Sequence, residues 1–313
     1  MSREASLVIS TIHHYVQSTE SHHHCSSFSS SRHPKLEEVH PNMDVVPRRT
    51  AAEAKEYVLK GEPVVITDWF HDKINPVVHR WSLTSLDKMF SALGKGSNAA
   101  GFNVAADLNT QCCRYFESQG SSQKSGYPYP FSPTTHLYRD TFSGFVKTTR
   151  KANRDRYGRI TTKPRLLHYL HEIIMNKDGK ATVGGANAPL QLENDLDVIT
   201  TQLRPLAAKQ PFFGDFSYAK IWMGMMGIIM PMHYDHTDNM YVMSWGRKKA
   251  YIGKPGQLNE LYRYPNGHPL QGSSQVNLTE PDLDKFPNFA DAKLAEVVVG
   301  PGDILYLPAL WWQ

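Results

Sequence analysis

Apolar residues recur at two periods along this chain, and the change of period divides it. Residues 51–59 are apolar at helical spacing, and Pro63-Val64-Val65-Ile66-Thr67 is short and β-branched enough for a buried strand, so a packed region is expected to begin near residue 49. Further helical material is expected between Trp81 and Asn176. After Pro211 the pattern becomes strand-like over 216–232, 239–243, 249–252, 296–299 and 303–307, with turns marked by Gly246, Pro255-Gly256 and Gly300-Pro301-Gly302. A run of short strands with such punctuation predicts a sandwich or barrel. Residues 1–40 hold His22-His23-His24, Ser26-Ser27 and Ser29-Ser30-Ser31 with few large apolar residues, the composition of a flexible tail outside the fold. The expected organisation is therefore a tail over 1–40, an N-terminal elaboration of helices and strands over 41–210, and a β-rich core over 211–313.

Composition narrows the class. With 313 residues and 40% hydrophobic content, the chain can bury a large core. Its longest apolar stretch, 221–232, is interrupted by glycines and too short for a bilayer, which predicts buried strand and no membrane span. A formal charge of +4 suits an RNA or acidic-peptide partner without requiring one, and no DNA partner is expected. Cys112 and Cys113 are adjacent and Cys25 lies in the tail, so a disulfide framework is not expected, which points to a reducing cytoplasmic or nuclear compartment. No secretory signal is visible at the N-terminus, and its Ser/His-rich composition leaves organellar targeting open. The basic segment 139–165 reads first as a solvated face and second as a rim for a polyanion.

Chemistry concentrates near His233-Tyr234-Asp235. Residues i and i+2 of an extended chain share a face, so an imidazole and a carboxylate converge there. One carboxylate and two histidines on one face is the ligand set of non-haem Fe(II) oxygenases. With 15 histidines in the chain such a triplet also arises by chance, and His236-Thr237-Asp238 is a second one. Lys248 follows His233 by 15 positions (248 − 233) on a neighbouring strand, where a buried ammonium needs an anion. A glycine turn, an alternating strand and a Pro308-Ala309-Leu310-Trp311-Trp312 corner give far more specific context than either triplet.

These residues, with Asn239, Tyr264-Pro265, His268-Pro269, Ser274-Gln275-Val276, Pro281-Asp282 and Phe286-Pro287-Asn288-Phe289, resemble the JmjC cupins, a class of Fe(II)/2-oxoglutarate oxygenases. The similarity is to branches that hydroxylate an asparaginyl side chain or a modified tRNA base, and weaker similarity reaches upstream to Pro63 and Trp81. The resemblance implies a mainly β fold with flanking helices, a double-stranded β-helix (jelly-roll). It implies Fe(II) held by His233 and Asp235, and 2-oxoglutarate and O2 as co-substrates. Lys248 would pair the distal carboxylate of 2-oxoglutarate, Tyr169 would reach the same carboxylate, and Asn239 would be a polar neighbour of the co-substrate. The implied partner is a protein or tRNA substrate, with a homodimer expected of a full-length form.

The sequence departs from the family pattern at its end. The family's third iron ligand is a histidine directly after the Trp-Trp pair, and here that position is Gln313, a neutral and weaker ligand for Fe(II). His268 matches a surface segment of the pattern and is not expected to replace it. His236 and Asp238 are expected to line the mouth of the site. The final strand of the jelly-roll is also expected to be missing, leaving an unpaired edge prone to aggregation or partner pairing. Two accounts fit: a shortened form of an ordinary hydroxylase, favoured by the ending at the ligand position, or a catalytically inactive cupin that binds a protein or RNA. A storage or sugar-binding cupin leaves Lys248 without a reason.

Overall fold

The computed structural model describes residues 4–12, 33–69, 80–91, 100–106, 136–152, 167–183, 186–208, 215–225 and 228–313. Among the described residues, fourteen strands form three sheets. They are β1 (Glu4–Ile12), β2 (Asp44–Val45), β3 (Arg48–Arg49), β4 (Val64–Ile66), β5 (Ala100–Ala106), β6 (His136–Thr141) and β7 (Leu167–Met175). The hairpin β8 (Thr182–Val183) and β9 (Ala186–Asn187) comes next, followed by β10 (Asp215–Gly224), β11 (Asp238–Trp245), β12 (Lys248–Gly253), β13 (Leu294–Val299) and β14 (Ile304–Leu307). Helices α1 (Leu36–Val39), α2 (Ala51–Lys60), α3 (Leu83–Ser91), α4 (Phe142–Ala152) and α5 (Leu190–Ala208) accompany them. None of the described helices is long and apolar enough to cross a membrane.

The large sheet has the order β3-β4-β14-β11-β1-β10-β7-β5-β6, and a small sheet has the order β12-β13-β2. Period-two alternation explains how they pack. On β11 and β14, Met240, Val242, Ile304 and Tyr306 join a core with residues of α2, α3, α4 and α5, while Tyr241, Met243, Leu305 and Leu307 face Ile252, Val297 and Val299 of the small sheet. The architecture is thus two apposed sheets with helices on the outer face of the larger one, consistent with the expected jelly-roll. Residues from both sides of position 211 share the helix-facing core, so the elaboration and the β-rich region are packed as one body.

Local chemistry sets the elements. Helix α2 begins at Thr50, whose hydroxyl accepts the Glu53 N–H while Glu53 reaches back to the Thr50 N–H, and it ends at Gly61 in the left-handed region at φ 66°. Asp195 on α5, 2% exposed, accepts from the Trp81 indole at 2.8 Å and from Arg80 at 2.7 Å, which ties α5 to the start of α3. The strand expected over 216–232 is Asp215–Gly224, and residues 228–232 continue as irregular chain.

The N-terminus corrects two expectations. Glu4–Ile12, assigned to the tail, is a strand inside the large sheet, and Leu36 on α1 is buried. β1 runs parallel to both β10 and β11 and lies between them, with one register shift in each pairing. Apart from β3–β4, every other junction of that sheet is antiparallel. The facing edges of β10 and β11 are therefore paired rather than open, because any extended backbone, whatever its side chains, satisfies their N–H and C=O groups. The polar, aromatic-poor stretch that follows β1 masked this in the composition. The His22–Cys25 run and Cys112 and Cys113 lie outside the described residues, as does most of the basic segment 139–165.

Deleting residues 1–12 is expected to uncover both edges and convert the chain to aggregates on size exclusion with light scattering. A deletion variant that stays monodisperse, with unchanged amide-exchange protection in β10 and β11, would contradict the placement of β1.

Candidate metal and co-substrate site

The site is assembled by the chain end folding back on the segment before β11. His233 and Gln313 exchange both backbone hydrogen bonds, His233 N–H to Gln313 O at 3.0 Å and Gln313 N–H to His233 O at 2.8 Å. One residue earlier, Trp312 exchanges the same pair of bonds with Gly253, each at 2.9 Å. The Trp312 ring is fully buried and meets the Tyr234 ring edge-on at 4.9 Å. Gly253 permits this approach, since a Cβ there would lie 3.3 Å from the Trp312 Cβ. A buried tryptophan of this kind is worth ~3–5 kcal/mol against truncation, so the corner is rigid. It is also locked from the other side. The Leu310 N–H donates to the Asp235 carbonyl at 2.7 Å with Leu310 strained at φ 68°, and the Ala309 N–H donates to Asp238 Oδ1 at 2.7 Å.

Side-chain geometry gives His233 and Asp235 different surroundings. His233 Nδ1 lies 2.9 Å from the Pro231 carbonyl, which only accepts, so Nδ1 carries the proton and Nε2 keeps its lone pair. Asp235 Oδ2 accepts from Asn239 Nδ2 at 2.8 Å and from Gln313 Nε2 at 2.9 Å. Asn239, expected beside the co-substrate, instead orients the carboxylate from β11 and is absent from the cavity wall. Among the described residues no three His, Cys, Asp or Glu side chains are placed to hold one metal ion. The donors present fit a divalent cation as an imidazole–carboxylate half-site with an amide in the third position.

A cavity of about 370 Å³ opens beside this half-site. Its wall includes His233, Gln313, Lys248 and Tyr169, together with an apolar side formed by Met225, Ile228, Met230 and Met232. Four of the residues singled out in the sequence thus meet in one cavity, and Asp235 is not among its lining residues. Tyr169 gets there because position 224 is glycine, as a Cβ on Gly224 would come within 3.0 Å of the ring.

Lys248 and Lys249 point to opposite fates, as the strand period requires. Lys249 pairs with Glu296 at 2.7 Å and Glu37 at 3.2 Å. Burial alone would lower its ammonium, but the hydrogen bonds it makes to Glu296, Tyr251 and Glu37 raise it above the usual lysine range. Among the described residues no carboxylate lies within ion-pair distance of Lys248, and its Nζ lies over the Tyr241 ring, 4.8 Å from the centroid.

The second triplet serves structure. His236 is exposed, but Asp238 is fully buried on the Ala309 N–H, so it braces the corner instead of lining the mouth. His268 also departs from expectation. It is buried, stacked on Tyr264 at 4.2 Å, and its Nδ1 accepts the Leu270 N–H.

Comparison with known proteins shows the family. The model of the cupin-like domain family matches residues 50–313. The chain belongs to this family of JmjC cupins. Among its relatives, lysine-specific demethylase 8 of Xenopus tropicalis is 33% identical over 92 residues, 29% of this chain and 20% of that protein. JmjC domain-containing protein D of Dictyostelium discoideum is 34% identical over 92 residues, again 29% and 20%. tRNA wybutosine-synthesizing protein 5 of Mus musculus is 35% identical over 89 residues, 28% and 26%. The chain thus spans about a fifth to a quarter of the length of these relatives.

Beside the cavity, His171 stacks on Trp222 at 4.9 Å, and burial, helped by the charge of Lys220, lowers its imidazole to about 4. The folded pKa lies below the unfolded value of about 6.5, so the unfolded chain binds the proton more readily, and stability falls as pH drops from 6.5 to 4. The loss amounts to about 3 kcal/mol. Urea denaturation across that window is expected to show His171→Phe losing this share of the acid destabilisation, and an unchanged pH profile would refute the buried neutral ring.

Proposed function

We propose that this JmjC cupin binds Fe(II) through His233 and Asp235 and 2-oxoglutarate through Lys248, and that it hydroxylates a C–H bond, on a protein side chain in preference to a modified tRNA base. The observation that carries the reading is an ammonium in the wall of the cavity that also holds His233, with no carboxylate partner among the described residues. Lys248 is half-buried, and an ammonium partly withdrawn from water gains from meeting an anion. A dicarboxylate spanning from the metal to Lys248 supplies that anion.

Iron and 2-oxoglutarate together supply the oxidising power, one oxygen atom of O2 going to succinate as CO2 leaves and the other to the substrate. The chain's own part is positional. The Pro231 carbonyl fixes the His233 tautomer, Asn239 holds the Asp235 carboxylate, and the Met225 to Met232 side keeps the cavity apolar. Gln313 weakens the site, since its amide is a neutral donor and its Nε2 is engaged by Asp235. Preference for a protein substrate rests on the similarity to lysine-specific demethylase 8 and on the asparaginyl-hydroxylase-like segment 264–289. The tRNA alternative rests on the wybutosine-synthesizing relative and on Asp238-Asn239 with Pro308-Ala309-Leu310. A second reading, an inactive cupin that binds a protein or RNA, is favoured by the amide at Gln313.

Succinate formed from 2-oxoglutarate in the presence of Fe(II) and O2, followed by mass spectrometry, separates these readings. The wild-type chain is expected to turn over slowly, Gln313→His at least ~10-fold faster, and Lys248→Met at background. If neither the wild type nor Gln313→His forms succinate, the binding-protein reading replaces the oxygenase.

A further inference from the structure

The small sheet covers part of one face of the large sheet. The core between them draws on β4, β11 and β14 and takes no described residue from β10 or β7. Through β1 the register sets Lys220 of β10 in line with Tyr241 of β11, and Trp222 in line with Met243, so both β10 side chains project to the same side as that core. Alternation adds Tyr218 to them, and β7 supplies Ile173 opposite Lys220, His171 opposite Trp222 and Tyr169 opposite Gly224. Tyr169 belongs to the cavity wall, and the Trp222 ring lies 5.3 Å from it. A strip of side chains thus leads from the cavity along β10 to Tyr218, about 20 Å of extended chain.

Lys220 stands in the middle of this strip, half-buried. Its ammonium lies 4.8 Å from the centre of the Tyr218 ring and 5.8 Å from that of Trp222, and among the described residues no carboxylate is within ion-pair distance. Two rings hold the charge in place without neutralising it. Ile173, its cross-strand neighbour, is 42% exposed. His171, kept neutral by burial and by Lys220 itself, adds no second charge.

We propose that this strip docks an acidic, extended segment of the protein substrate, with Lys220 pairing a substrate carboxylate and Ile173 meeting the aliphatic part of a neighbouring side chain. The proposal rests on the protein-substrate reading above and adds where the chain flanking the target residue lies. Single-stranded RNA suits the strip less, because base stacking needs an open ring face. The Trp222 ring is stacked on His171 and has Lys220 over it, and the Tyr218 ring also has Lys220 over it. A point charge beside an aliphatic side chain matches a carboxylate-bearing side chain better than a run of phosphates.

The test is fluorescence anisotropy of fluorescein-labelled (Glu-Ala)6, (Gln-Ala)6 and a uridine dodecamer on the full chain. The wild type is expected to bind (Glu-Ala)6 more tightly than (Gln-Ala)6, with Lys220→Gln weakening it about 5-fold and Lys220→Glu at least about 10-fold. Lys285→Glu makes the same charge change at another ring-bound lysine, over Phe286, and is expected to stay within about 2-fold of the wild type. If Lys220→Glu loses its far-UV signal, Lys220→Gln carries the test. Equal losses in Lys220→Glu and Lys285→Glu would mean attraction by net charge and overturn the proposal. So would (Glu-Ala)6 binding no better than (Gln-Ala)6, Lys220 variants that bind (Glu-Ala)6 like the wild type, or Lys220-dependent binding of the uridine dodecamer in its place. Succinate formation reports separately on the oxygenase: Lys220-dependent peptide binding without succinate from Gln313→His keeps this surface for a binding protein, and succinate without such binding leaves the oxygenase and removes the surface.

Discussion

The backbone pairing of His233 with Gln313 is the contact on which the site depends. Neither residue lies in a regular strand, so the large sheet does not hold them by itself. What fixes them is the next residue along, because Trp312 is buried between Tyr234 and Gly253 and cannot shift without opening a cavity. The position that would supply a third ligand is thereby set within hydrogen-bond reach of Asp235, whatever side chain occupies it. On the proposed reading, glutamine is the weaker ligand at that position. A histidine there would meet a carboxylate already oriented by Asn239 and an imidazole already in the ligating tautomer.

Electrostatics then divide two adjacent lysines. The strand period turns Lys249 to Glu37 and Glu296, where it fastens α1 to the small sheet, and leaves Lys248 over an aromatic face in the cavity. Lys248 is half-buried there, and the ring quadrupole under its ammonium is worth about 0.5–2 kcal/mol. On the proposed reading, the co-substrate's carboxylate adds to this.

Much of this was legible in the sequence because it rests on local periodicity. The strands after residue 211 and the glycine turn at Gly302 follow from alternation and turn chemistry, and four residues that the family resemblance picks out, His233, Lys248, Tyr169 and Gln313, line one cavity. What stayed hidden depends on tertiary partners. β1 enters the sheet by backbone pairing, to which composition is blind. Asp238 was indistinguishable from a mouth residue until its bond to the Ala309 N–H was seen, and Asn239 looked like a co-substrate contact because the turn returning it to Asp235 has no sequence mark.

The central claim, that His233 and the Gln313 position belong to one metal centre reached by 2-oxoglutarate, is tested most directly by anaerobic titration with Fe(II) and 2-oxoglutarate. The readout is the weak visible charge-transfer band of the ternary complex. The account predicts a clear band for Gln313→His, a faint or absent one for the wild type, and none when His233→Ala is added to Gln313→His. A band of equal strength with and without His233, or no band from Gln313→His at saturating iron, would contradict it.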